Sequence, residues 1–236
     1  MKNKYHLHDG HVTLESMSQA IWFNQWTFEQ FRSYLHGSIL EIGCGIGNFT
    51  DKLTKYNDVY AIDIEKHYIH TVQKQHEKSR LHIGEGNIET GKYFFRKKTF
   101  NTQICLNVLE HIRNDTKALR NMHSLLSLGG HLILLVPAHQ YLYGEIDHAI
   151  GHYRRYSLTS LVTKMQKLGF NIIQSRNINM LGAFGWFISG KILRNPNVDE
   201  RKIRLYNFIA RFTLPIENII PVPFGTSILI IAQKPK

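Results

Sequence analysis

Residues 38–49 read SILEIGCGIGNF. An apolar run delivers an acid, Glu41, and then three glycines, Gly43, Gly45 and Gly47, before apolar residues resume. That order reads as a buried strand feeding a helix through a glycine turn. The question is what sits on the glycines. A dinucleotide fingerprint, G-x-G-x-x-G, started at Gly43 would need glycine where the chain has Asn48. A P-loop would need a lysine and a hydroxyl residue after its last glycine, and the chain has neither there. The pattern is [DE]-x-G-x-G-x-G instead. Glycines let the backbone turn sharply and approach a ligand closely. The acid beside them suits a ligand with a cationic amine better than a pyrophosphate. Asp63 closes the next apolar run, DVYAID (58–63), where a carboxylate can accept the hydroxyls of a ribose. The ligand expected is therefore a cationic nucleoside.

Outward from this stretch, strands and helices alternate. Strands are expected at 38–42, 58–63, within RLHIGEGNIE (80–89), at 102–106, at 131–137, within FNIIQS (170–175) and at 227–234. Helical patterns fall between them. GNFTDKLTKY follows the glycines, and IEKHYIHTVQKQHEK follows Asp63. DTKALRNMHSLLSLGG has Asp115 as N-cap candidate and Gly129–Gly130 as stop, and Ser157–Leu168 is capped by Ser157 and stopped by Gly169. Two more apolar pieces lie near 180–194 and 200–213. A further helix, Thr13–Leu35, rests on Met17, Ile21, Trp22, Trp26, Phe28 and Phe31. Such alternation predicts an α/β fold with a mostly parallel sheet, helices on both faces, and ligands at the carboxyl ends of its strands.

Five segments in this order carry a resemblance to a known family. LEIGCGIGNF, VYAIDI, GNIE, ICLNVLEHI and LSLGGHLILLVP resemble, one after another, the motifs of class I S-adenosylmethionine-dependent methyltransferases. The resemblance implies a Rossmann-like seven-stranded sheet with an antiparallel last strand. It implies S-adenosylmethionine as cofactor and S-adenosylhomocysteine as product, with no metal. It places Glu41, Gly43, Cys44, Gly45 and Gly47 along the methionine part, Asp63 at the ribose, Asn87 and Ile88 at the adenine, and Asn107 and Val108 near the methyl-bearing sulfur, with Ile64 also in the cofactor site. Asn87 stands where the family often has aspartate; its side-chain carbonyl would accept from the adenine amino group. Asn101 replaces another frequent aspartate, and a structural role is expected for it.

The acceptor is read from the loop 138–156, AHQYLYGEIDHAIGHYRRY. Nineteen residues without apolar periodicity is long for a loop in a compact domain, and such loops tend to carry function. Its histidines can take a proton near neutral pH, and its arginines can hold an anion in a fork. His152 is the first base candidate, followed by His139 and Asp147. Tyr143, Tyr153, Arg154 and Arg155, with Trp22 from the N-terminal helix, are expected to contact the substrate. His111 is read as structural or as a wall of the cofactor pocket. This loop, with GAFGWFISGKIL and PFGTSILIIAQ downstream, resembles a bacterial subgroup of the family. Members of that subgroup are commonly associated with glycosyltransferases and with cell-surface glycan or natural-product pathways.

Composition bounds the rest. With 236 residues, 43% of them hydrophobic, the chain can build a core and is not a disordered segment. A single domain spanning 1–236 is expected, with a helical lid (1–36), a cofactor-binding core (37–137), the substrate loop (138–156) and a helical insert (178–223). Two cysteines offer no disulfide framework, which fits a reducing compartment. The N-terminal residues lack an apolar signal core. The expected location is cytoplasmic, with peripheral contact to the inner face of a membrane through the apolar 179–194. Oligomeric state is expected to be monomer or homodimer. The net charge of +11 attracts anions: nucleic acid, anionic lipid or a phosphorylated substrate. It is not gathered into a nucleic-acid motif, since the densest groups are Arg96–Lys98 and Arg154–Arg155. Enzymes that methylate base nitrogens typically carry [DN]-P-P-[YF] where this chain has NVLE. The function expected is methyl transfer to an oxygen or nitrogen of a small-molecule, glycan or lipid-linked acceptor. The alternatives are a nucleic-acid methyltransferase and a non-catalytic cofactor-binding protein.

Overall fold

The computed structural model describes residues 20–55, 57–76, 80–188, 200–220 and 222–236. Its centre is one eight-stranded sheet. In chain order the strands are β1 (Ile39–Ile42), β2 (Val59–Asp63), β3 (Leu81–Asn87), β4 (Lys92–Tyr93), β5 (Phe100–Leu106), β6 (Leu126–Pro137), β7 (Asn171–Ile178) and β8 (Ser227–Gln233). Their spatial order is β4-β3-β2-β1-β5-β6-β8-β7. Pairings from β3 through β6 are parallel, and β8 runs antiparallel between β6 and β7. The expected seven strands, with a reversed last one, are present. The eighth, β4, is a two-residue addition beside the end of β3.

The helices are α1 (Ile21–Phe31), α2 (Thr50–Leu53), α3 (Lys66–Gln75), α4 (Asp115–Leu125), α5 (Glu145–Ala149), α6 (Leu158–Lys167), α7 (Met180–Phe187) and α8 (Glu200–Ile216). Strand side chains alternate between two buried clusters. One contains Leu40, Ile62, Leu132, Leu134 and Ile230 with Leu119 and Met122 of α4 and Leu161 and Met165 of α6. The other contains Ile39, Val59, Ile133, Leu135 and Ile231 with Phe23, Trp26 and Phe31 of α1 and Ala210 and Leu214 of α8. Covering on both faces explains why β6 reads as an unbroken apolar run rather than an alternating one.

Two boundaries differ from the sequence reading. The N-cap of α4 is Asn114, whose side chain accepts from the Lys117 N–H at 3.0 Å. Asp115 instead receives Lys164 Nζ at 2.7 Å and so ties α4 to α6. Helix α4 also ends before the glycine pair. β6 begins at Leu126 and runs through Gly130, where a Cβ would lie 2.9–3.1 Å from three backbone carbonyl oxygens. Here the glycines allow two strands to approach rather than stop a helix. The loop 138–156 is partly ordered, with a single turn at Gln140–Leu142 and the short α5. The start of the expected Thr13 helix lies outside the described residues, as does most of the lid assigned to 1–36. Asn101 has the structural role expected of it, accepting from the Ser38 N–H at 3.1 Å.

Candidate active site

Six residues with left-handed backbone stand at one rim of the sheet. After β1 come Gly43, Gly45 and Gly47 with φ of 73°, 52° and 89°. After β5, β6 and β7 come Asn107, His139 and Asn179 with φ of 54°, 62° and 63°. All of these follow the carboxyl ends of strands, where open α/β sheets bind ligands. Left-handed backbone at non-glycine residues clusters at ligand sites, where the surrounding structure holds it in place. Gly43 is needed for space as well, because a Cβ there would lie 2.4 Å from Cγ2 of Val108.

Two carboxylates stand at this glycine loop. Glu41, in β1, is 5% exposed and accepts from the Thr50 hydroxyl at 2.7 Å. Burial pushes its pKa up to about 8, and among the described residues no cation pairs with it. Asp63, the last residue of β2, accepts from the Gly45 N–H and the Glu65 N–H, each at 2.9 Å. These bonds fix the carboxylate under the loop and leave part of its acceptor capacity free. Burial raises its pKa too, opposed by those backbone bonds. Next to it Ile64 is 60% exposed and lines an open cleft of about 420 Å³ with Gly86, Asn87, Thr90 and Tyr93. Asn87 corrects the expectation made for it. Its side-chain carbonyl already accepts from the Glu89 and Thr90 N–H groups, each at 2.9 Å, so only its amide N–H₂ remains to be offered. A larger crevice of about 540 Å³ adjoins this cleft at Lys92 and Tyr93 and is lined further by Phe95, Arg96–Lys98 and Leu125.

The second half of the rim is built around Asp147. This carboxylate is fully buried. Its Oδ1 accepts from His152 Nδ1 and Arg155 Nε, both at 2.8 Å. Oδ2 accepts from the Gly144 N–H at 3.1 Å and from Trp186 Nε1 at 3.2 Å. Burial pulls its pKa up, but the bonds from His152 and Arg155 outweigh it and hold the carboxyl below its ordinary value. Asp147 is thus the hub of the loop and not a base: its lone pairs are spent and solvent does not reach it. Arg155 lies with its guanidinium over the Trp186 ring, 4.8 Å from the centroid, and donates to the Ala138 carbonyl at 3.1 Å. Arg154 donates to the carbonyls of Ile112 and Arg113 at 3.0 and 2.9 Å and lies 3.4 Å from Asp115. The forks expected to hold a substrate anion therefore bind the protein itself. Tyr143 donates to the His152 carbonyl at 2.7 Å, whereas Tyr153 is exposed. Trp22 is exposed on α1, a helix packed on α8.

His152 keeps its place as a base candidate. Its Nδ1 is anchored on Asp147 at 2.8 Å, and in the neutral ring that donates there Nε2 carries the lone pair. That nitrogen points toward Glu110, 3.7 Å from Oε1. His139 is half-buried, its Nε2 has no hydrogen-bond partner among the described residues, and burial lowers its pKa. Glu110 and Trp186 were not singled out from the sequence. Neither lies near the loop in the chain; only the fold brings them to it.

A family model described as a methyltransferase domain matches residues 30–175, well over half of the chain. The chain belongs to the methyltransferase domain family. Solved structures share its fold. An S-adenosylmethionine-dependent methyltransferase of Mesorhizobium loti superposes with TM-score 0.62 at 15% identity, over 88% of this chain and 97% of that one. The N-methyltransferase NodS of Bradyrhizobium japonicum, in complex with S-adenosylhomocysteine, superposes with TM-score 0.58 at 16% identity, over 90% and 85%. An uncharacterized protein of Methanocaldococcus jannaschii is 26% identical over 157 residues. That alignment covers 65% of this chain and 62% of the archaeal one, so the chain spans under two thirds of that curated relative. Within this methyltransferase-family fold, the rim glycines, Glu41 and Asp63 occupy the carboxyl ends of β1 and β2, at the centre of the sheet.

Proposed function

We propose that the chain transfers the methyl group of S-adenosylmethionine to an oxygen or nitrogen of a small-molecule, glycan or lipid-linked acceptor. The observation that carries this reading is Glu41, a buried carboxylate at the base of the glycine loop with no cation among the described residues to balance it. An unpaired buried charge is costly, and a cationic ligand removes the cost. When bound, S-adenosylmethionine supplies an electrophilic methyl group on a sulfonium. Glu41, Gly43, Cys44, Gly45 and Gly47 would receive its amino-acid end, Asp63 its ribose, and Ile64, Asn87 and Ile88 its adenine. Asn107 and Val108 would stand at the sulfur. Rigid placement in a dry site supplies most of the catalysis such a displacement needs. An amine acceptor needs only to be neutral, whereas a hydroxyl must also lose a proton. With Asp147 spent, His152 and His139 are the loop's remaining proton acceptors.

A lipid-linked acceptor is favoured by the outer face of α8. Leu205, Phe208, Phe212 and Ile216 form an exposed stripe at helical spacing, opposite the buried Ile203, Ala210 and Leu214. Arg211 lies over the Phe208 and Phe212 rings, 5.4 and 4.5 Å from their centroids. Apolar side chains under basic ones suit an anionic membrane surface. Among the described residues no helix is long and apolar enough to cross a bilayer, so the contact would be peripheral. Part of the expected 179–194 contact segment lies outside the described residues. The test is to incubate the protein with methyl-labelled cofactor and bacterial extract, with and without anionic vesicles. Label in an organic-soluble product, increased by vesicles, is expected. Label confined to RNA would overturn the acceptor class, and no label in any fraction would favour a non-catalytic binding protein.

A further inference from the structure

Glu110 follows β5, is 0% exposed, and among the described residues neither of its carboxylate oxygens has a hydrogen-bond partner. A buried carboxylate left this bare calls for explanation. The groups facing it make the problem sharper. Nε2 of His152 lies 3.7 Å from Oε1, and in the tautomer that donates Nδ1–H to Asp147 the nitrogen facing Glu110 carries the lone pair. His111 joins them, its ring centroid 4.7 Å from that of His152. One ligand atom from each of Glu110, His111 and His152 lies within 4.8 Å of the other two. Three electron-pair donors thus converge on one point. Asp147 holds one of them in place and, with all its own bonds made, cannot relieve the crowding.

We propose that Glu110, His111 and His152 form a site for a first-row divalent cation of the zinc type. Two histidines and a carboxylate are a donor set that such ions accept, with a further position left for water or substrate oxygen. The outer groups fit as well. Metal-bound histidines characteristically give their other nitrogen to a carboxylate or a backbone carbonyl. His152 gives Nδ1 to Asp147, and the His111 ring hydrogen-bonds to the backbone of Gly151. Closing the triangle onto an ion requires the side chains to draw in, and His111, exposed at the surface, provides the way in. The site sits immediately after Asn107 and Val108, beside the proposed methyl-bearing end of the cofactor. It rests on the proposed reading and deepens it: an ion there lowers the pKa of a coordinated acceptor hydroxyl, whose proton passes to water, and so favours an oxygen acceptor. His152 is then a ligand rather than a base.

The experiment uses the full chain, stripped with a chelator and titrated calorimetrically with Zn²⁺ and Mn²⁺, alongside the His111→Ala and Glu110→Gln variants. One equivalent of ion is expected to bind with micromolar or better affinity and to raise the melting temperature. His111→Ala should weaken binding at least tenfold, with its melting compared against the metal-free parent; it keeps the test valid if Glu110→Gln misfolds. No binding, or binding unchanged in His111→Ala, overturns the site and leaves a proton shared by Glu110 and His152 as its only occupant. S-adenosylhomocysteine titrated into the same samples separates the two readings. Cofactor binding without metal binding defeats this proposal alone, and metal binding without cofactor binding defeats the proposed function alone.

Discussion

The two halves of the rim are built in opposite ways. From β1 to β3 the candidate groups come from short contiguous stretches: Glu41 to Gly47, Asp63 and Ile64, Asn87 and Ile88. Its carboxylates keep capacity to spare, since Glu41 lacks a cation and Asp63 uses only part of its acceptor capacity on backbone N–H groups. From β5 to β7 the groups come from distant stretches, and the central carboxylate, Asp147, is saturated by Gly144, His152, Arg155 and Trp186. One half is poised to receive a ligand; the other spends most of its polar groups on holding a loop and α7 in place. The contrast teaches that charged residues in a loop can be scaffold, while the exposed groups and the unbalanced ones mark where chemistry can occur.

The contrast can be broken most forcefully at Asp147. Asp147→Ala strands the buried Arg155 guanidinium, and removing one partner of a buried pair typically costs about 3–5 kcal/mol. The denaturant midpoint should fall accordingly, while affinity for S-adenosylhomocysteine, measured where the variant is folded, should stay within about threefold of the parent, about 0.7 kcal/mol. Unchanged stability would contradict the hub.

An effect of opposite character is expected at Glu41. Its pKa is raised in the folded protein to about 8 from an ordinary 4.5. Below 4.5 the carboxyl is protonated in both states and its burial costs nothing extra. Between 4.5 and about 8 the unfolded chain ionises first and binds fewer protons, so Glu41 makes the free protein less stable as pH rises. A cationic ligand favours the ionised form, so cofactor affinity should rise over the same interval. Glu41→Gln should flatten both trends, stabilising the free protein near pH 8 and weakening cofactor binding. Both slopes can be read from melting curves and titrations across that range, and a Glu41→Gln variant that keeps them would remove Glu41 from the site.

How far the sequence could be read follows the same division. The glycine loop, Asp63 and the strand order were legible because each signal is local: a strand, a turn and a helix within a dozen residues. The Gly129–Gly130 pair misled because glycine both stops helices and lets strands approach, and only the Asn101 and Phe100 carbonyls opposite Gly130 decide between them. Asp115 resembled a cap because its true partner, Lys164, lies in another helix. Arg154 and Arg155 resembled an anion fork because the carbonyls and carboxylates that occupy them come from far along the chain. Glu110 carried no signal at all in NVLEHI; its meaning depends on His152, forty-two residues later. What was missed is what long-range packing creates.

The most direct test of the central claim, that the glycine half holds a cationic nucleoside, is calorimetric titration of the parent and of Asp63→Ala with S-adenosylmethionine, S-adenosylhomocysteine and NAD. The parent is expected to bind the first two with micromolar affinity and not to bind NAD, with at least a tenfold loss, about 1.4 kcal/mol, in Asp63→Ala. Binding of NAD, or affinities for the sulfur ligands that Asp63→Ala leaves unchanged, would contradict it.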